Sequence, residues 1–353
     1  MTSQSRPRNI YYKKPLGDAM SKLHILAIDG GGMKGLISAM VLEALEKKLQ
    51  FYSGNEEARI ADYFDLIAGT STGAILTALY LKPGKDGRPE FSAEDAKNLY
   101  LERGKDIFSQ SVSHYMATLG GLTGPKYSNK ALKSILEQYL GNQDIAHLVK
   151  PCLMVSYDIY NASAHFFDSF SAQKKKNKNY YVKEAVLASS AAPTFFPPVM
   201  VTSMSGEKKC MIDGGICANN PAMCAFTEIM KLSTFHSIQD VHILSIGNAG
   251  NEYEYSCKNA KNWGIIGWSI PVVHTVMNAG KQVTDYELKM LYDTMKNSGN
   301  YIRIEKKYQK QVELPAMDDS SQEALEILTR IGNEMMKEND IKLEILAKSL
   351  TGN

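Results

Sequence analysis

The order of apolar segments predicts an α/β fold with a largely parallel central sheet. An apolar run at Leu23–Ile28 leads into three glycines, and apolar side chains then recur every four residues over 36–50, as on one face of a helix. A second apolar run at 63–69 ends in another glycine-containing turn, and the segment after it, AILTALYL, is again helical in character. Strand, turn and helix repeated in this order are typical of parallel strands joined by crossover helices.

Later segments extend the same pattern. Strand-like runs occur at Pro151–Ile159 and 241–247, and helical periodicity occurs over 92–140, 281–296 and 320–349. The last of these helices opens with Ser-x-x-Glu at residues 320 to 323, which predicts a capping box at its start.

No internal repeat or shift in composition divides the chain into separate units. We therefore predict a flexible N-terminal arm at 1–21 and one folded domain over 22–250. Residues 251–353 are expected to form a C-terminal helical extension packed on the same domain.

The composition is that of an ordinary globular protein and excludes several classes. Hydrophobic residues make up 44% of the chain, and the formal net charge of +2 lacks the basic excess usual in nucleic-acid-binding proteins. The five cysteines contain no C-x-x-C pair, so we expect no zinc site, no disulfide framework and no cofactor. The sequence starts without an apolar signal segment and has no apolar run of 18 residues, so we expect a cytoplasmic protein that touches a membrane only from one side.

The pentapeptide GTSTG is the first motif that indicates chemistry. Gly69 and Gly73 flank Ser71 in a G-x-S-x-G turn between a predicted strand and a predicted helix. Such a turn is a nucleophile elbow, in which the glycines relieve crowding and the serine hydroxyl stands at the N-terminus of the helix. The helix dipole favours negative charge there. Short Gly/Ser turns also recur by chance, but the strand–turn–helix context favours catalysis.

The glycine-rich segment DGGGMKG, after the first predicted strand, has two interpretations. Gly30, Gly32 and Gly35 fit the G-x-G-x-x-G pattern of a dinucleotide-binding loop. Together with Gly31, the same glycines also suit an oxyanion hole, because amides at a helix N-terminus stabilise a developing oxyanion. Two adjacent parallel strands would bring this loop beside Ser71, so we favour the oxyanion hole.

A third motif, Asp213-Gly214-Gly215, is by itself an ordinary turn. Taken together and in this order, DGGGMKG, GTSTG and DGG resemble the patatin-like phospholipase family. The stretch ASSAAPTFFPP at Ala188–Pro198 and the stretch DGGICANNP resemble further blocks of that family. The resemblance extends from about Leu23 to Asn248.

The resemblance implies a three-layer α/β/α fold and a two-residue catalytic dyad. By carry-over, Ser71 is the nucleophile and Asp213 the general base, while the glycine loop supplies the oxyanion hole. The implied reaction is hydrolysis of carboxylic esters of membrane phospholipids, of phospholipase A type, at the inner face of the membrane.

A narrower resemblance is to bacterial stand-alone effectors that a cyclic dinucleotide activates in antiphage defence. No nucleotide-binding motif accompanies this resemblance, and the oligomeric state is open, a homo-oligomer included. The alternatives from the residues alone are a signalling module that binds a nucleotide at the G-x-G-x-x-G loop, an inactive scaffold of the same fold, and a Ser–Asp–His esterase. By chain order, the histidine of such a triad would be His236, His242 or His274.

Two further segments have open interpretations. The basic run Lys174–Lys178 is either a solvated loop or a contact to anionic lipid headgroups. Trp263–Met277 contains both tryptophans among large apolar residues, and it suits either core packing or a lipid interface, a lid or an oligomer contact.

Overall fold

The computed structural model describes residues 22–108, 124–232, 237–251, 255–308 and 314–353. The predicted arm at 1–21 and His236 lie outside these residues. Within them, the strands are β1 (Leu23–Ile28), β2 (Leu66–Thr70), β3 (Cys152–Asp158), β4 (Ser163–Asp168), β5 (Val199–Thr202), β6 (Lys208–Asp213), β7 (Val241–Asn251) and β8 (Tyr301–Tyr308).

The helices surround this sheet. They are α1 (Gly35–Ser53), α2 (Ile60–Tyr63), α3 (Thr72–Leu81), α4 (Ala93–Ile107), α5 (Lys130–Leu140), α6 (Ser169–Lys174), α7 (Val182–Ser189), α8 (Gly215–Ala218), α9 (Ala222–Ile229), α10 (Cys257–Ala260), α11 (Ile265–Thr294), α12 (Gln322–Glu338) and α13 (Asp340–Thr351).

The strands form a single mixed sheet in the order β5-β6-β3-β2-β1-β7-β8, with β4 also paired to β3. The four central pairings, β3 with β2, β2 with β1, β1 with β7 and β7 with β8, are all parallel. The pairings of β3 with β4 and β6, and of β5 with β6, are antiparallel. The carboxyl ends of β1 and β2 therefore meet at one edge of the sheet, where the two glycine-containing turns follow them.

Each face of the sheet has its own apolar core, which makes the fold three-layered. Leu26 and Ile28 of β1 pack into the core that contains α1, α3, α4, α5, α7, α12 and α13. Ile25 and Ala27 point to the opposite face, where α9 and the second half of α11 cover the sheet. The prediction of a three-layer α/β/α fold with a mostly parallel sheet is confirmed.

The C-terminal segment differs from the helical extension predicted over 251–353. It contributes β8, which pairs in parallel with β7, so it completes the central sheet as well as adding helices. The predicted boundary at residue 250 also falls inside β7 (Val241–Asn251). The apolar residues Tyr301 and Ile304 of β8 are buried, and the four charged residues of the strand hid its pattern.

The beginning of α11 is exposed. Ile265 and Ile266 are 92% and 88% exposed, whereas Leu288 and Tyr292 near the other end of the same helix are buried. Core packing therefore applies from Met277 onward and not to the first turns of this helix.

Candidate active site

Ser71 lies in a strained turn between β2 and α3. Its backbone has φ 55° and ψ −121°, a conformation that a residue with a side chain rarely adopts. A Cβ atom on Gly69 would collide with the carbonyl of Gly73, and a Cβ on Gly73 would collide with the carbonyl of Ile28. Both flanking positions therefore require glycine, as a nucleophile elbow does.

A serine far along the chain holds this turn in place. The amide of Ser71 donates to Oγ of Ser189 at 2.9 Å, and that hydroxyl donates to the carbonyl of Val155 at 2.6 Å. Ser189 is the last residue of α7 and belongs to the ASSAAPTFFPP stretch. The sequence indicated this stretch as a block, without assigning the serine a role.

Asp213 is the last residue of β6 and is fully buried. Its Oδ1 accepts a hydrogen bond from the amide of Gly215 at 2.7 Å. Its Oδ2 has no partner of full hydrogen-bond geometry among the described residues, although Ser71 is close enough for its hydroxyl to lower the pKa of the carboxyl. Burial outweighs both hydrogen-bonding effects and raises the pKa of Asp213 to about 7. Ser71 and Asp213, predicted from separate motifs, are thus neighbours.

The glycine loop after β1 lies against the elbow. A Cβ on Gly30 would come within 3.2 Å of Cβ of Ser71 and would collide with Oδ1 of Asn219. The parallel pairing of Ile28 with Gly69 produces this contact, because both strands end at the same level. The loop and the serine turn are therefore neighbours, as the sequence predicted.

The four glycine amides of the loop differ in their hydrogen bonding. The amide of Gly30 donates to the carbonyl of Asn219 at 3.1 Å, and that of Gly35 donates to the carbonyl of Gly32. For the amides of Gly31 and Gly32, no backbone acceptor is found in the described parts of the chain. These two N–H groups are the ones left to bind an oxygen of a ligand.

Three contacts from distant parts of the chain fix the loop. Arg303 of β8 donates to both carboxylate oxygens of Asp29, to Oδ1 at 2.8 Å, and both side chains are almost fully buried. Nδ2 of Asn248 donates to the carbonyl of Gly30 at 2.9 Å. The amide of Met33 donates to the carbonyl of Met317 at 2.7 Å. No local motif pointed to Arg303 or Asn248.

Ser71 and Asp213 line the same cavity, and the rest of its lining is mostly apolar. The apolar lining includes Ile75, Ile107, Phe108, Leu132, Phe196 and Met277. The rings of Phe108 and Phe196 pack with that of Tyr127, with centroid distances below 6 Å. This apolar space, next to a serine hydroxyl and a carboxyl group, suits a hydrocarbon chain attached to a carbonyl group.

A second, larger cavity of about 610 Å³ adjoins the first. The two share Gly31, Phe195, Met277 and Met317 as lining residues. Lys34 lines this outer cavity; it is only 8% exposed and has no ion pair or hydrogen bond from its ammonium group within the described residues. Burial, and then the positive charge of Lys281, lower the pKa of Lys34 to about 8. A buried cation without a partner suits an anionic ligand.

The histidines of the triad alternative are placed away from Ser71 in the described structure. His274 lines the outer cavity rather than the one that holds Ser71 and Asp213, and burial lowers its pKa. His242 is the second residue of β7 and stacks on His24, with ring centroids 5.1 Å apart, at the opposite edge of the sheet from the elbow.

The described residues contain neither a metal-binding cluster nor a membrane-spanning helix. No group of three or more His, Cys, Asp or Glu side chains is placed to hold a metal ion. None of the helices there has both the length and the apolarity needed to cross a bilayer.

The comparisons with known proteins agree with one another. Residues 26–226 match the family model described as patatin-like phospholipase. The chain is 32% identical to "Patatin-like protein 2" of Oryza sativa subsp. indica, over 98% of this chain and 91% of the rice protein. It is 34% identical to "Patatin-like protein 2" of Arabidopsis thaliana, over 89% and 82%, and 31% identical to "Patatin-2-Kuras 3" of Solanum tuberosum, over 89% and 83%. The chain belongs to the patatin-like phospholipase family of lipid acyl hydrolases.

Proposed function

We propose that this protein is a phospholipase of A type that cleaves acyl esters of membrane phospholipids with a Ser71–Asp213 dyad. The observation that carries the proposal is the cavity that both residues line, because it joins a nucleophile and a base to an apolar space. The apolar lining suits the start of an acyl chain, and its ester carbonyl would then lie at Ser71.

The two residues divide the chemistry between them. Asp213 accepts the proton of the Ser71 hydroxyl while Oγ attacks the ester carbonyl. The protonated Asp213 then gives the proton to the leaving alcohol, and the acyl group stays on Ser71. Water attacks this acyl-enzyme with Asp213 again as the base, which releases the fatty acid. A pKa of about 7 suits a group that accepts and returns a proton near neutral pH.

The oxyanion donors are proposed from the hydrogen-bonding pattern of the loop. Because the amides of Gly30 and Gly35 are engaged elsewhere, we assign the stabilising role to Gly31 and Gly32. Each such donor contributes about 3–4 kcal/mol to transition-state stabilisation in comparable sites. The N-terminus of α3, directly after Ser71, adds a favourable dipole for the developing negative charge.

The preference for phospholipids over neutral esters is assigned to Lys34. Lys34 is almost fully buried and lines the outer cavity, which adjoins the Ser71 cavity through Gly31. A phosphate there would give Lys34 the charge-assisted hydrogen bond that it lacks. The acyl chain would thus lie in the cavity of Ser71, and the headgroup would lie in the outer cavity.

The experiment is fatty-acid release from phosphatidylcholine that carries different acyl chains at its two ester positions. We expect hydrolysis by the wild-type chain and none by the Ser71→Ala or Asp213→Ala variants, each folded as judged by circular dichroism. The chain that is released identifies the position cleaved. Near-wild-type turnover in either variant would remove the dyad.

The triad alternative is tested with a short neutral ester in place of phosphatidylcholine. His274→Ala is expected to retain turnover of a short neutral ester, since His274 lies in the outer cavity. Loss of that activity in His274→Ala, with Asp213→Ala unaffected, would establish the esterase triad instead.

Activation by a cyclic dinucleotide, a role in antiviral defence and a place at the inner face of the membrane stay predictions. The phospholipid assay with and without a panel of cyclic dinucleotides tests the first of them. Activity that appears only with one of these ligands would establish the switch, and full activity without any ligand would contradict it.

A further inference from the structure

We propose that the surface formed by α10 and the first two turns of α11, residues 257–272, docks on anionic phospholipid bilayers. This surface, called the docking surface below, would let the lipid ester pass from the bilayer into the cavity of Ser71. The inference rests on the proposed function for its purpose, and its binding step is tested without any hydrolysis.

Large apolar side chains are exposed on the docking surface. Ile265 and Ile266 are 92% and 88% exposed, Ile270 is 54% exposed, and Trp268 is 41% exposed. Apolar side chains concentrated at the start of one helix are costly in water and mark an interaction surface. Trp263 packs on Trp268 with ring centroids 5.1 Å apart, and tryptophan is enriched where proteins meet the headgroup region of a bilayer.

The docking surface also carries positive charge. Residues 257–272 include Lys258 and Lys261 and contain neither Asp nor Glu. Both lysines are exposed, and neither has an ion pair within the described residues. A basic, apolar surface without acidic groups is complementary to an anionic lipid surface. In a symmetric contact with a second copy, the same surface would bring lysines toward lysines.

The docking surface is continuous with the candidate active site. Ile265, Ile266 and Ile270 line the outer cavity together with Lys34. Met277, two turns further along α11, lines both the outer cavity and the cavity of Ser71. An apolar path therefore leads from the exposed isoleucines to the nucleophile.

The other basic segment lies elsewhere. Lys174–Lys178 follows β4, and the end of β4 pairs with the beginning of β3 through Asp168 and Leu153. This exposed run is thus at the edge of the sheet opposite to Ser71, where a bound bilayer would be remote from the site. It provides a control of matched charge.

The test measures binding to vesicles in the Ser71→Ala background, so that no lipid is consumed. Vesicles contain either phosphatidylcholine alone or equal amounts of phosphatidylcholine and phosphatidylglycerol, and bound protein is separated by sedimentation. Changing Ile265→Ser together with Ile266→Ser should weaken binding to the mixed vesicles by about tenfold or more. Unchanged binding would overturn the proposal.

The matched control changes Ile341→Ser and Ile345→Ser in α13. These isoleucines are 73% and 63% exposed, but α13 packs beside the end of α1 away from the glycine loop, where Tyr52 bonds Glu344. We expect vesicle binding to be unchanged. An equal loss in both double variants would mean that exposed apolar area matters wherever it lies, and would also overturn the proposal.

Two double lysine variants test whether positive charge contributes to vesicle binding. Lys258→Gln with Lys261→Gln should reduce binding to the mixed vesicles by about tenfold, with little effect on phosphatidylcholine alone. Lys175→Gln with Lys176→Gln should change neither. If the Lys175/Lys176 variant lost binding and the Lys258/Lys261 variant did not, the contact with the bilayer would lie at the other edge of the sheet.

Activity measurements separate this inference from the proposed function. In the active background, the ratio of phospholipid to soluble short-chain ester hydrolysis should fall in the Ile265/Ile266 variant and stay constant in the Ile341/Ile345 variant. Vesicle binding by Ser71→Ala protein, with no fatty-acid release by the wild type, would leave docking standing and remove the proposed function. A dimer that dissociates only in the Ile265/Ile266 variant would assign the surface to a second copy instead.

Discussion

The regions before and after residue 251 contribute to the site in different ways. The first supplies the groups proposed to react: Ser71, Asp213 and the amides of Gly31 and Gly32. The second supplies groups that hold or border them, namely Arg303 on Asp29, the carbonyl of Met317 on the glycine loop, and Met277 in the cavity wall. The site is therefore complete only when both regions have folded.

The two regions are also constrained in different ways. In the first region, the backbone itself is constrained, because the turns at Gly69, Gly73 and Gly214 have no room for a Cβ atom. In the second, constraint comes from side chains that reach across long sequence separations, as Arg303 does to Asp29. Variants of the reacting groups in the first region should thus lose activity, whereas variants of the supporting groups in the second should lose stability.

The largest effect is expected for Ser71→Ala. Removal of the nucleophile should lower kcat for any ester by a factor of about 10⁴ or more, because no other group forms the acyl-enzyme. The thermal midpoint should remain within a few degrees of wild type, because alanine keeps the Cβ atom and the same backbone conformation and loses only the hydroxyl. A large fall in the thermal midpoint would show that Ser71 also stabilises the fold.

The next effect is expected for Arg303→Met, which tests the supporting region. The change leaves Asp29 buried without its bidentate partner, and we expect a loss of about 3–5 kcal/mol in the free energy of unfolding. The measurement is denaturant unfolding followed by circular dichroism. As a control, Arg303→Met combined with Asp29→Asn should recover part of this loss, because no unpaired charge remains. Equal losses in the single and double variants would contradict the role of the pair.

Asp213→Asn should inactivate the protein and make it more stable. The folded protein keeps its proton on Asp213 up to about pH 7, whereas the unfolded chain loses it near pH 4. Wild-type stability therefore falls as pH rises between these values, by about 2–4 kcal/mol, and stays low above pH 7. The side chain introduced by Asp213→Asn does not ionise, so the variant does not lose this stability as pH rises. Unfolding midpoints at pH 5 and pH 8 check the sign, and a variant less stable at pH 8 would contradict it.

The same carboxyl group predicts how activity depends on pH. Because Asp213 must be ionised to accept the Ser71 proton, kcat/KM for a neutral ester should rise as pH increases through about 7 and then level. A profile already flat between pH 5 and pH 8 would mean that the base titrates elsewhere.

The sequence predicted the elbow at Ser71 because local stereochemistry determines it, whereas the role of Asp213 followed only from the family resemblance. The strand Leu23–Ile28 and the elbow at Ser71 follow from short patterns whose glycines are required in place. The run predicted as a strand over 63–69 begins instead at Leu66, since Ile60–Tyr63 forms a helical turn. The capping serine of the helix predicted from 320 is Ser321, whose hydroxyl accepts from Ala324.

The supporting groups could not be predicted in the same way. The strand Tyr301–Tyr308 is rich in charge, and Arg303 is buried only because Asp29, far away in sequence, faces it. Trp263–Met277 has the composition of a core segment, and only the tertiary structure shows that Ile265 and Ile266 face solvent. Long-range pairing leaves no local pattern to detect.

The smallest effect is expected for Lys34→Met, which lies where the two regions meet. Lys34 belongs to the glycine loop, but Lys281 and His274 of α11 face it across the outer cavity. Loss of its ammonium group should raise KM for phosphatidylcholine by about tenfold and leave a neutral short-chain ester unaffected. In the wild type, the preference for phospholipid should decline as pH rises through about 8, where Lys34 loses its charge. Lys34→Arg keeps a charge at that pH and should abolish the decline. A decline that persists in Lys34→Arg would mean that loss of charge on Lys34 does not cause it, and would remove Lys34 from headgroup recognition.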